Sequence, residues 1–137
     1  MNDGTEPISD DELLYRRVPL TWYSPQNGLD AQAFAPHKTL DTTGLSMARA
    51  KYKSKEEVAA GQPGKSYYVA VLRAGDVRKA QIEPVPRPEP NDPGHSELPD
   101  LNSQNRKSDR TQGLQRILVA ITLSVEGPFS APDSKQE

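Results

Sequence analysis

The residues of this chain that could do chemistry are few and scattered. His37 and His95 are its only histidines, and it has no cysteine. A thiolate nucleophile, a thiolate metal site and a disulfide are therefore excluded. Metal sites usually need three or four ligands. Asp92, His95, Glu97 and Asp100 lie close together in sequence, but in a proline-rich stretch with no rigid element to hold them, and no metal is expected there. Ser96 stands beside His95 without a third partner for a triad. Gly64-Lys65-Ser66 resembles the end of a phosphate loop, yet Ala59 stands where the first glycine is required. The order of elements is also reversed, because such a loop leaves a strand and enters a helix. Asp10-Asp11-Glu12 reads as a solvated acidic cap. No convergent catalytic set emerges.

The elements that would have to position these residues are small. The chain has 137 residues, 34% of them hydrophobic, with a mean hydropathy of −0.78. This suits one domain with a modest core and generous polar loops. Thirteen prolines and a net charge of −2 point to order in the middle and irregularity around it. No apolar run approaches the ~20 residues that span a bilayer. The acidic start lacks the basic and apolar regions of a secretory signal, so a cytoplasmic location is expected and no membrane partner.

Leu13–Val18 reads as a strand, since Pro19 biases Val18 towards extended backbone. Trp22 is expected to anchor packing. Ser54-Lys55-Glu56-Glu57 is a capping box opening a short helix that ends at Gly61. Tyr67–Arg73, aromatic and β-branched, reads as a central strand. Asp76 is placed to cap a helical turn, and Gln81–Val85 reads as edge-like because Pro84 cannot donate to a ladder. In Leu114–Val125, Leu114, Ile117, Leu118 and Ile121 fit helical spacing, whereas Val119, Ile121, Leu123 and Val125 alternate as in a strand. The reading favoured there is a helix from about 108 to 120 followed by an extended end, stopped at Gly127-Pro128. The expected fold is α+β: a single domain over 11–126 with three or four strands, two or three short helices and a proline-rich arm at 84–99. Residues 1–10 and 127–137 are expected as disordered tails.

Two surfaces could bind. The arm, with prolines at 84, 86, 88, 90, 93 and 99, has polyproline character suited to an aromatic groove. Pro86, Arg87, Pro88 and His95 are its candidate partner-binding residues. Arg49, Lys51, Lys53 and Lys55 form a basic centre that could meet nucleic-acid phosphates.

Two resemblances add to this. The order Phe34-Ala35-Pro36, Gly44-Leu45-Ser46, Ala70-Val71-Leu72-Arg73-Ala74-Gly75-Asp76-Val77-Arg78, Val85-Pro86-Arg87-Pro88 and Pro93-Gly94-His95 resembles a group of short uncharacterised bacterial proteins over residues 34–96. It implies a bacterial-type cytoplasmic protein. Leu14-Tyr15-Arg16-Arg17-Val18 is similar to the first strand of RES-type and other ADP-ribosyltransferase-like domains. That likeness implies NAD as cofactor, with Arg16 or Arg17 on the dinucleotide phosphates and Glu56 or Glu57 as the acid; a G-R-W-N-like stretch that should follow is missing. The reading favoured is a non-enzymatic binding or accessory protein without a cofactor, acting on another protein. The NAD-consuming enzyme and nucleic-acid contact are the alternatives.

Overall fold

The computed structural model describes residues 3–130. Its centre is the pair formed by β1 (Leu13–Pro19) and β5 (Ser66–Arg73), antiparallel along their full length from Leu13↔Arg73 to Pro19↔Tyr67. Alternation along β1 sends Leu14 and Val18 to one side and Tyr15 to the other, and all three are buried. Around this pair the sheet runs to six antiparallel strands in the order β6-β7-β4-β1-β5-β8. The flanking strands are β4 (Leu45–Arg49), β6 (Val85–Pro86), β7 (His95–Leu98) and β8 (Ser124–Ser130). A separate two-stranded ribbon joins β2 (Tyr23–Ser24) to β3 (Gly28–Leu29). The fold is α+β as expected, with more strands than three or four.

Three helices cover the sheet. On one face α2 (Ala74–Lys79), α3 (Asp109–Ile121) and the 3-10 turn Ala31–Phe34 bury Val77, Leu118 and Phe34 against Leu14, Leu45, Leu72 and Leu98. On the other face α1 (Lys55–Ala59) sets Val58 and Ala59 on Tyr15, Val69 and Val71. The capping box of α1 is formed: Ser54 Oγ accepts from Glu57 N at 3.1 Å, and Glu57 Oε1 accepts from Ser54 N at 2.9 Å. Trp22 is half-buried against the larger core.

Several expectations are corrected. Residues 3–10 are not loose: Ile8 is buried, and the carbonyls of Gly4, Glu6 and Pro7 accept from Arg49. A lone Ile in an acidic run carries no periodic signal, and Arg49, which holds the segment, lies 42 to 45 residues further along the chain. Asp76 sits inside the first turn of α2, whose N-cap is Arg73. Gly127-Pro128 does not end the last apolar segment, because β8 runs through it and pairs Phe129 with Tyr67. The register between β5 and β8 shifts between Tyr67 and Val69, and this bulge accommodates the Gly-Pro step. Residues 1–2 and 131–137 of the expected tails lie outside the described residues.

The proline arm is folded into the sheet. Val85 pairs with Glu97 and Pro86 with Ser96. Arg87 N donates to His95 O, and Glu89 and Asp92 exchange backbone hydrogen bonds of 3.0 and 2.9 Å. The odd-numbered residues thus turn their N–H inward. The nitrogens facing away belong to Pro86 and Pro88, with Pro84 and Pro90 continuing the spacing. Alternate proline removes the donors that another strand would need, which seals this edge of the sheet.

Candidate functional site

β7 is an inner strand, paired with β4 on one side and β6 on the other. The proline-rich stretch read as having no rigid element is therefore a strand where it carries His95 and Glu97. Two apart on a strand, they share a face. Glu97, 8% exposed, is the hub: Oε1 accepts from Thr43 Oγ1 at 2.8 Å and Arg87 Nε at 3.3 Å, and Oε2 lies 3.3 Å from His95 Nε2. Two of the four candidate partner-binding residues, Arg87 and His95, are thus gathered by a carboxylate outside that set, while Pro86 pairs with Ser96 in the same sheet. The one sequence signal for it was the His-x-Glu alternation. Pro88, half-buried, continues the ridge and lies against the N-terminal segment at Gly4.

A ring nitrogen of His95 and one carboxylate oxygen each of Glu89 and Asp92 lie within 4.8 Å of one another. These residues could supply ligands to a divalent cation. Lys53 Nζ, however, sits 3.4 Å from Asp92 Oδ2 and brings positive charge to the same group. Glu97 is not in this group, and Asp100 pairs with Arg110 at 3.5 Å. His37 is used in its own turn, where Nδ1 accepts from the amides of Thr39 and Leu40.

Arg16 and Arg17, neighbours on a strand, point to opposite faces. Arg16 donates to Ala33 O at 3.0 Å, Ser46 O at 2.9 Å and Ala35 O at 3.5 Å. Burial pulls its pKa down, opposed by the nearby Asp41 carboxylate. It braces the 3-10 turn against β4. Arg17 is exposed, its guanidinium 5.1 Å from the centroid of the Tyr67 ring, a cation–π contact. Glu56 is exposed in the first turn of α1, on the face of the sheet opposite Arg16. The structure does not bring that arginine and that glutamate together.

The basic centre is neutralised from within. Arg49 is fully buried and binds Glu12 through two hydrogen bonds, Nε to Oε2 at 2.6 Å and Nη2 to Oε1 at 2.9 Å. Those bonds raise its pKa. Lys51 pairs with Glu6 at 2.9 Å, Lys53 with Asp92, and Lys55 with Glu126 at 2.9 Å. Glu6 is held down to about 2 by the Tyr52 hydroxyl and then by Lys51.

No known protein family, curated protein or solved structure matches the chain. Its site has to be read from its own geometry. No helix among the described residues is long and apolar enough to cross a membrane.

Two concave regions lie elsewhere on the described surface. One, of about 560 Å³, is a shallow groove beside Leu20, Lys65 and Tyr67. The other, of about 300 Å³, lies between the 3-10 turn and α3 and gathers Arg106, Lys107 and Arg116. Sequence reasoning missed it, since those cations sit in a polar stretch with no motif.

Proposed function

We propose that the chain is a small binding or accessory protein that meets a protein partner through the ridge Pro86-Arg87-Pro88, with His95 beside it. One observation carries this reading. Arg87 is half exposed, and its guanidinium is anchored through Nε by the buried Glu97. Neither Nη nitrogen has a partner among the described residues, so the outer fork of the guanidinium is presented to solvent in a fixed orientation. Such a fork suits a partner carboxylate, which it can bind through two parallel hydrogen bonds. Arginines held in this way are frequent energetic anchors of interfaces.

The ridge is also ordered in advance. Proline fixes φ on both sides of Arg87, and the Arg87 amide is already bonded to His95 O. Binding therefore costs little further backbone entropy. Strand addition is opposed by the missing N–H groups, so recognition passes through side chains. The rival readings have less support: Arg16 spends its donors on three carbonyls, and Arg49, Lys51, Lys53 and Lys55 spend their charge on carboxylates.

A photo-crosslinking residue at the exposed Asn91, in the turn beside the ridge, tests the proposal in the native host. The expected result is one dominant protein adduct, absent from Arg87→Glu and weaker in Arg87→Lys, which lacks the fork. An adduct pattern indifferent to Arg87→Glu, with that variant still folded by circular dichroism, would sink the reading.

A further inference from the structure

A second surface stands apart from the ridge. The hollow between the 3-10 turn and α3 receives Arg106 and Lys107 from the preceding loop and Arg116 from the helix. None of the three pairs with a carboxylate among the described residues. This sets them apart from Arg49, Lys51, Lys53, Lys55, Arg73, Arg78 and Arg110, all of which do. The hollow holds one carboxylate, Asp30, and its Oδ1 accepts from Gln32 N at 2.8 Å as the cap of the 3-10 turn. Three positive groups against one negative leave a local surplus of two, in a chain whose net charge is −2.

The walls are rigid. Asn102 Oδ1 accepts from the amides of Gln104 and Asn105, while Asn105 Nδ2 donates to Asp100 O, so the loop carrying Arg106 and Lys107 is stitched by its own side chains. Ser108 Oγ caps α3 by accepting from Thr111 N at 3.1 Å. The buried Gln115 donates through Nε2 to Ala31 O at 3.0 Å and ties the helix to the turn. Cations carried on a braced frame around a concavity, without paired counter-charges, form a site suited to an anion.

We propose that this hollow binds the phosphoryl group of a small phosphorylated molecule. Arg106 and Arg116 supply planar forks that match phosphate oxygens, and Lys107 supplies a compact charge. The volume, at the lower end of the range for small-molecule sites, fits a compact ligand and is small for an extended dinucleotide. A nucleic-acid strand is the competing occupant, but it would track a continuous basic groove. Here Arg110, the next cation on α3, is already paired with Asp100.

The test is a titration of the full chain with inorganic pyrophosphate, followed through the side-chain amide signals of Gln112 and Gln115 in a two-dimensional NMR spectrum. Sodium sulfate at equal ionic strength and a ten-nucleotide single strand form two further arms. Saturable shifts confined to Gln112, Gln115 and the amides of residues 106–107 are expected with pyrophosphate. Arg106→Gln combined with Arg116→Gln should weaken binding about tenfold or more, while Lys38→Gln, outside the hollow, leaves it unchanged. Both sites are exposed or half-exposed, and the dispersion of the same spectrum verifies folding. Shifts that do not saturate, equal binding by the double variant, or equal response to sulfate would overturn the proposal. Tighter binding of the oligonucleotide, with shifts spread over the surface, would replace it with a nucleic-acid site.

Discussion

Two sets of basic side chains divide this molecule. Arg49, Lys51, Lys53 and Lys55 lie within seven residues of one another in sequence, yet each is neutralised by a carboxylate from a distant segment. Arg106, Lys107 and Arg116, in a stretch that looks featureless, converge on one hollow and remain unpaired among the described residues. Density of charge along a chain is therefore a poor guide to the field a partner meets. What matters is where the compensating acids are brought by the fold.

The comparison can be broken at its strongest point first. Arg49 ties β4 to Glu12 and to three carbonyls of the N-terminal segment. Arg49→Ala leaves a buried carboxylate without its partner and should cost about 3–5 kcal/mol in urea unfolding. A loss within 0.5 kcal/mol, roughly the scale of an ordinary surface change, would mean that the network is decorative.

A smaller effect is expected in acid. Glu6 titrates at about 2 in the folded chain, below its ordinary 4.5, because Tyr52 and Lys51 favour the carboxylate. A depressed carboxylate stabilises the fold above its unfolded pKa, and that stabilisation disappears as pH falls through the folded value. Stability should therefore decline between about pH 4.5 and 2, and Glu6→Gln should flatten that part of the curve. An unchanged slope in the variant would detach Glu6 from the acid response.

The smallest effect belongs to the other set. Arg116→Gln removes an exposed cation with no internal partner, so the melting midpoint should move by no more than an ordinary surface change, within about 0.5 kcal/mol. A larger destabilisation would show that Arg116 is held by the fold after all, and the contrast between the two sets would narrow.

Much of the framework was legible because it is local. The capping box at Ser54–Glu57 is complete within four residues, and Ser66–Arg73 carries its strand signal in its own composition. The helix over 109–121 was legible only in part, because the apolar residues of 114–125 fit helical spacing and strand alternation alike. The parts that were not legible depend on register. Val85↔Glu97 and Ala48↔His95 put the arm and β7 into the sheet, although the prolines between them read as a loop. Arg87 and His95 were recognisable by type, but their gathering around Glu97 comes from strand pairing. Arg106 and Arg116 are ten positions apart, and only the folding of the loop onto α3 makes them neighbours.

The alternate prolines of β6 have a consequence for assembly. A sheet grows by adding neighbours at its borders, and a molecule with two receptive borders can be threaded into a chain of indefinite length. Here one border of the six-stranded sheet offers no donors at Pro86 and Pro88, which leaves β8 as the receptive border of that sheet. Any association through that side uses it up in both copies. Growth of the six-stranded sheet by that route stops at a pair, with β6 at each outer limit.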